Sequence, residues 1–319
     1  MFVPILLFAV GLVLLIKGGD WFVDGATALA RKFHLPEILI GATVVSIGTT
    51  LPEVMVSATS AVKGVGGIAY GNAVGSVICN TSLIAALTIA IMPGVTDVKS
   101  LKLPVYFFFG SAVIYLIISY STQRFSRISG LLLICIFAVY IFLSVKRAFG
   151  IAETESEAEV SDGKPYMQYV YLVLGAAFIA VGAWLLVENG TTIAEALGVP
   201  DSVIGLTFVA LGTSLPELVT AITSLIKGHS SLSLGNIVGA NLFNLVLVNG
   251  VSPLLAPYKL PAEKMLFNTN AALVVDLPLM VIVMLILCVP TMRKKRVTRT
   301  QGIVLLALYA AFCVYQFCL

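Results

Sequence analysis

Long apolar stretches follow one another along almost the whole chain, separated by short polar connections. They fall near 2–16 (with a polar continuation to about 31), 36–62, 68–92, 103–120, 128–145, 167–194, 200–226, 232–256, 270–290 and 302–318. Most are near or above the ~20 residues an α-helix needs to cross a hydrocarbon core about 30 Å thick. The pattern therefore predicts ten transmembrane helices, five in each half. The polar residues inside these stretches are few and ordered: Gly41 to Glu53 reads GATVVSIGTTLPE and returns from Gly205 to Glu217 as GLTFVALGTSLPE. The same offset of 164 carries Pro36 onto Pro200, Lys63-Gly64 onto Lys227-Gly228, Gly71-Asn72 onto Gly235-Asn236 and Asn80 onto Asn244. Pairing 36–80 with 200–244 gives 19 identities in 45 positions. They fall on Gly, Pro, Thr, Asn, Glu and Lys, residues a lipid-facing helix has no general need for, so the chain is an internal duplication.

Five spans per copy is an odd number, so the second copy enters the membrane from the opposite side. The expected fold class is an all-α polytopic membrane protein, with ten transmembrane helices as two inverted five-helix repeats. The first repeat is 1–149, the second 167–319, and 150–166 joins them. At 59% hydrophobic and 11% charged residues, with a mean hydropathy of +1.03, a soluble globule is excluded.

Charge distribution adds an orientation. With the N-terminus outside, thirteen Lys and Arg fall in inner connections, including Arg31, Lys32, Lys146, Arg147 and the run from Arg293 to Arg299, against five in outer ones. Basic residues in short loops stay cytoplasmic, so both termini are expected outside a cell (inner) membrane, and the acidic stretch GIAETESEAEVSDGKPY reads as a flexible cytoplasmic linker. It is too short for a calcium-sensor domain and lacks the pattern of an EF-hand loop. The N-terminal run has no basic n-region, so cleavage as a signal peptide is not expected. Five cysteines without CxxC or Cys/His spacing predict neither a disulfide framework nor a zinc site. His34 and His229 read as solvated loop residues. The bilayer is the one partner the composition demands; nothing suggests a cofactor, an enzyme, a nucleic acid or an obligatory protein partner.

Chemistry concentrates at the duplicated motif. Pro52 and Pro216 stand in the middle of apolar runs, where proline removes a backbone donor and clashes with the carbonyl one turn earlier, so spans two and seven are expected to be interrupted just before them. Freed carbonyls at this depth are tolerated only where protein or a wet cavity receives them. Directly after each proline comes a carboxylate, Glu53 or Glu217, which costs on the order of 2.5–3.5 kcal/mol at a helix centre, and no basic residue lies in the interior of either span to pair with it. Asn80 and Asn244 supply amides from spans three and eight, and the small residues around them permit close helix approach. Together with the hydroxyls of Thr49, Thr50, Thr213 and Ser214 the donors are all hard oxygens, a set that suits Ca2+ or Na+ and no soft metal. Asp20, Asp24 and Glu188 either lie near an interface or line an aqueous path; Asp276 is a third acid within a span, without a counterpart in the first half.

The GTTLPE and GTSLPE segments, with GNAVGSVICN and GNIVGANLFN downstream, resemble the two alpha-repeats of the sodium/calcium exchanger branch of the cation/calcium antiporter superfamily, specifically its short prokaryotic members. The resemblance covers both halves and implies countertransport of Ca2+ against Na+ by alternating access. Carried over by position, Glu53 and Glu217 match central Ca2+ ligands, with Thr49 and Thr213 adding carbonyl oxygens. Thr50, Ser76 and Ser214 match Na+ ligands, Ser46 and Ala210 match positions whose carbonyls serve outer Na+ sites, and Asn80 and Asn244 match polar residues at the centre. Two departures stand out: Ala240 replaces a serine common in the family, and Asn244 replaces an aspartate found in some relatives, which argues against K+ cotransport. A Ca2+/H+ exchanger is the alternative, although that branch usually has an acid soon after its Gly-Asn pair; a cation channel is a more distant one.

Overall fold

The computed structural model describes residues 2–154, 166–196, 210–261, 265–266 and 269–318. Helices α1 (Phe2–Lys32), α2 (Glu37–Val62), α3 (Gly66–Ile91), α4 (Val98–Thr122) and α5 (Arg127–Thr154) form the first half. Helices α6 (Met167–Ala196), α7 (Leu215–Ile226), α8 (Ser230–Leu255), α9 (Ala272–Lys294) and α10 (Arg299–Cys318) form the second. Each coincides with an apolar stretch of the sequence, and a helical turn Ala210–Thr213 precedes α7. The part of the seventh stretch before Ala210, and the linker from 155 to 165, lie outside the described residues. Both repeats close the turn after their motif in the same way, with Gly64 at φ 80° and Gly228 at φ 81°, a left-handed conformation that glycine adopts without steric penalty.

Connections that touch are always separated by an even number of helices. The strand Gly94–Val95 before α4 pairs with Arg296–Val297 before α10. Arg124–Phe125, between α4 and α5, pairs with Tyr258–Lys259, between α8 and α9. The guanidinium of Arg147 donates to the Lys99 carbonyl, and that of Arg299 to the Ala90 carbonyl. Loops sort into two faces by parity, as they must when every helix crosses once.

The inversion is visible in one seam. Gly11, Gly18 and Gly25 recur at the heptad interval along α1, and Gly175 and Gly182 do so along α6. Gly11 abuts Gly182 and Leu185, Gly18 abuts Gly175 and Ile179, and Gly25 abuts Gln168 and Leu172. Numbers rise on one helix as they fall on the other, so α1 and α6, which are equivalent by the repeat, run antiparallel. Without Cβ atoms their backbones meet directly, the small-residue packing that substitutes for a hydrophobic driving force in lipid. Trp21 covers the seam by packing on Tyr171 and Phe178. The opposite extreme is α8, whose apolar window is 89% buried against 22% for α1; it is the central post, and α2, α3, α4 and α7 pack on it.

A Cβ at Gly182 would lie 2.7 Å from both the Gly11 carbonyl oxygen and the Leu15 amide nitrogen. Since backbone rather than a flexible side chain must yield, Gly182→Val is expected to destabilise the protein by about 1–3 kcal/mol. Thermal unfolding in detergent measures it, and an unchanged Tm would contradict the close seam.

Candidate functional site

The two proline motifs behave differently. In the second repeat the helix is interrupted as expected: Ser214 is a turn residue between Ala210–Thr213 and α7, and Pro216 lies in the first turn of the new helix. In the first repeat the expected break before Pro52 is absent, because helix runs without interruption from Ser46 to Val62. The irregularity has moved upstream, into a π-helical turn at Gly41–Val45, and the proline is accommodated at the level of Gly48, whose carbonyl has no amide to receive. Phe22 of α1 packs directly against Gly48.

Three more π turns among the described residues were not legible in the sequence: one opens α9 at Ala272–Asp276, and two begin at a predicted site residue, Asn80–Ala85 in α3 and Asn244–Val248 in α8. A π turn widens the helix and frees carbonyls, and such turns collect at functional sites. Here the freed groups find side chains from elsewhere. Asn249 donates to the Asn244 carbonyl at 3.0 Å and accepts from Tyr115 at 3.1 Å, while the Tyr140 hydroxyl donates to the Ala42 carbonyl at 2.7 Å. The turn at Asn80 packs against α7 and α8, and the turn at Asn244 against α2 and α3. Four helices, two per repeat, thus meet at one level.

At that level Glu53, Glu217, Asn80 and Asn244 are each 0% exposed. All four carboxyl oxygens and all four amide heteroatoms lack a hydrogen-bond partner in the protein, as do the hydroxyls of Thr50 and Ser214. Buried polar groups are almost always paired, so so many in one place is a cluster built for something that is not protein. The two carboxylates act on each other electrostatically, and the described ion pairs involve neither of them. Ser76 and Ala240 are buried one turn before Asn80 and Asn244, and Ala240 brings no polar atom. Ala210 opens the helical turn that ends at Thr213.

Two residues sequence reasoning left among the packing positions prove to be cross-links. Asn236 of α8 accepts from Thr49 of α2 at 3.3 Å, and Ser46 of α2 lies 2.9 Å from the Asn236 carbonyl. By the repeat, Asn72 of α3 accepts from Thr213 at 3.0 Å, and its amide donates to the Glu53 carbonyl at 3.1 Å and to Ser57 at 2.8 Å. Each repeat's asparagine therefore holds the motif of the other. The signal was present: both are identities at the offset, and both are amides in a stretch of small residues.

Of the peripheral charges, Asp20 and Asp24 are paired and Glu188 is exposed. Lys227 reaches Asp24 at 2.7 Å and Asp20 at 3.6 Å, and His229, expected to be solvated, meets Glu37 at 2.7 Å. Asp276 accepts from Gln316 of α10 at 3.4 Å.

Antiparallel equivalent helices and a buried oxygen cluster between repeats define a secondary transporter of the inverted-repeat class. Comparison with known proteins makes this specific. The family described as Sodium/calcium exchanger protein matches residues 3–146 and 167–318, and the chain belongs to that family of membrane cation/Ca2+ antiporters. It is 31% identical to the sodium/calcium exchanger MaX1 of Methanosarcina acetivorans, over 99% of both chains. It is 33% identical to the inner membrane protein YrbG of Escherichia coli, over 79% of each. Among solved structures, the sodium-calcium exchanger NCX_Mj soaked with Na+ and Sr2+ superimposes with a TM-score of 0.81 at 35% identity, covering 97% of each chain.

Removing the Asn72 amide removes one hydrogen bond from the Thr213 hydroxyl and one from the Glu53 carbonyl. Loss of such a partner costs about 1–3 kcal/mol. Asn72→Leu, close in size, is expected to weaken Ca2+ binding roughly 5- to 150-fold on that basis, measured by calorimetry on purified protein; wild-type affinity would show that the cross-link holds nothing.

Proposed function

We propose that the chain exchanges Ca2+ for Na+ at the Glu53–Glu217 cluster by alternating access. The observation that carries the reading is the set of buried, partnerless oxygens on Glu53, Glu217, Asn80 and Asn244. Two ionised carboxylates balance one divalent cation, and with the amide oxygens and the Thr49 and Thr213 carbonyls they offer the six to eight hard donors that Ca2+ takes. Thr50, Ser214 and Ser76 add hydroxyls around that centre for Na+, and the backbones at Ser46 and Ala210 cap its two ends. Competition for one ligand set is the simplest basis for exchange, because an unfilled, doubly charged site is costly to close away from water. That a relative is itself named a sodium/calcium exchanger supports Na+ as the counter-ion.

The assay is 45Ca2+ uptake into proteoliposomes loaded in turn with Na+, with K+, or with an acid interior. Uptake driven by Na+ is expected; uptake driven only by the acid interior would identify a Ca2+/H+ exchanger. Glu53→Gln and Glu217→Gln should each abolish Na+-driven uptake while leaving the unfolding profile intact, since one carboxylate cannot neutralise a dehydrated divalent ion. Full activity in either would remove that residue from the site.

The repeats also differ in a way that can be read out. Ser76 has a hydroxyl where Ala240 has none, and the amide nitrogen of the neighbouring Asn241 is engaged, donating to Thr81 at 2.7 Å. Ala240→Ser is therefore expected to lower the Na+ concentration for half-maximal exchange with little effect on that for Ca2+. An unchanged Na+ dependence would mean that Ala240 leaves no gap. For orientation, the basic asymmetry supports an inner-membrane location with both termini outside and 150–166 in the cytoplasm. Reaction of a cysteine placed in that linker with an impermeant reagent applied to intact cells would reverse it.

A further inference from the structure

The repeat register extends into α1 and α6, where Gly11, Gly18 and Asp24 stand 164 residues before Gly175, Gly182 and Glu188. The positions at which α1 meets α7 therefore have equivalents on α6 and α2, at the opposite face of the molecule. On the face of the α1–α2 and α7–α8 connections the contact is made. Lys227, just after α7, reaches Asp24 of α1 at 2.7 Å and Asp20 at 3.6 Å, and its ammonium donates to the Asp20 carbonyl at 2.9 Å. Deeper along the same two helices, Gly19 lies directly against Val219 and Thr223.

On the opposite face the equivalent contact is not made. Lys63, the counterpart of Lys227, and Glu188, the counterpart of Asp24, are both exposed, and among the described residues neither enters an ion pair. Met55 and Thr59, which correspond to Val219 and Thr223, are exposed as well, Met55 to 66%. Glu188 stands about two turns inside the end of α6 at Ala196. An acid at such a depth is costly against lipid and turns to water or to a partner. The same pairing chemistry is thus kept at both faces and satisfied at one.

In an inverted repeat such a difference distinguishes two states of one carrier. When the two repeats exchange conformations, the same chain has its Lys63–Glu188 face shut and its Lys227–Asp24 face open. We propose that these charges are two alternating latches: Lys227 with Asp24 and Asp20 shuts one face, and Lys63 with Glu188 shuts the other once the first has parted. Partly exposed ion pairs are weak, which suits contacts that must break in every cycle. Trp184 stands at the position of Asp20, so the first latch has two acids and the second only one, which favours the state seen here. The inference rests on the alternating access proposed above and not on which cations are exchanged.

Cysteine cross-linking of the full chain in proteoliposomes tests it. A protease site placed in the 150–166 linker divides the chain after the reaction, so a bridge between repeats is scored as halves that stay together, in excess of the parent protein. Asp24→Cys with Lys227→Cys, and Lys63→Cys with Glu188→Cys, are each expected to bridge with a short bis-methanethiosulfonate in at least one of Na+, Ca2+ and cation-free buffer. Adding Lys227→Gln to the second pair weakens the first latch and should speed bridging about 1.5- to 5-fold. Lys63→Glu and Glu188→Lys should each slow 45Ca2+ uptake, and the two together should restore it, a rescue that charges remaining apart would not give. The proposal is overturned by a folded Lys63→Cys, Glu188→Cys protein that bridges in none of the buffers, or that bridges at the same rate with and without Lys227→Gln. Where thermal unfolding shows that the cysteine pair does not fold, the charge exchange decides, and a double variant no faster than the single ones overturns it. Bridging is read without transport, so both bridges in a chain that takes up no 45Ca2+ would count against the assignment of ions and in favour of the latches.

Discussion

The rest of the structure depends on one constraint: two carboxyl groups are held at the depth of the hydrocarbon without a basic residue to neutralise them. A side-chain counter-ion would make Glu53 and Glu217 a structural pair; leaving them partnerless, as the proposed exchange requires, transfers the burden of stability to everything around them. That burden is met by backbone geometry. Pro52 and Pro216 remove amides, π turns at Gly41, Asn80 and Asn244 redirect carbonyls, and each freed group must find a receiver because lipid supplies none. Asn249 and Tyr140 receive carbonyls of the π turns and Asn72 receives that of Glu53, which is why polar side chains of this protein gather around its most irregular helices.

The burial pattern separates a central post from a peripheral helix pair. The post α8, with α3 beside it, is locked by large interdigitated side chains such as Phe243, Tyr140 and Phe137, a packing that resists gradual deformation. The pair α1 and α6 stands at the periphery, and its seam is glycine against backbone, smooth on both sides. Where it touches α2 and the turn before α7, two contacts fall on glycine, Phe22 on Gly48 and Val187 on Gly212, and the remainder is apolar packing that joins Val23 and Leu29 with Ile40, Val45 and Leu232. At the basic face α1 is fastened by the Lys227 pairs with Asp20 and Asp24, which are partly exposed and so individually weak.

Much of this was legible in the sequence because duplication marks function twice. Glu53, Pro52, Thr49 and Asn80 reappear at a fixed offset, and chance identity among apolar residues cannot mimic that. The span plan was legible because the bilayer fixes helix length. What could not be read were events decided by partners distant in the chain. A π turn carries no composition of its own, so those at Asn80 and Asn244 were invisible although the residues were not. The break expected at Pro52 follows from local chemistry alone, and the chain instead shifted the irregularity to Gly41–Val45, where Gly235 and Gly239 of α8 leave room for it. His229 looked solvated because nothing local reveals that its loop lies against Glu37.

The duplication is imperfect at the places where the two halves hold the site. Asn72 anchors its amide on Ser57, but the residue at that position in the second repeat is Ala221, and the Asn236 amide nitrogen is left without a partner. Asn249 secures the π turn at Asn244, while its equivalent, Ala85, can secure nothing at Asn80. Ser76 faces Ala240 across the pseudo-two-fold axis. The repeats are therefore held differently: in the first the asparagine latch is anchored on its own repeat and the π turn is held from α8, by Asn241 on Thr81, whereas in the second the latch lacks that anchor and the π turn is held from within its own helix, by Asn249. An inverted repeat with perfect symmetry would present identical half-sites to the two sides of the membrane. These differences make the two halves of the candidate site unequal in their polar groups, so under the proposed mechanism the two faces of one carrier need not bind the same ion equally well.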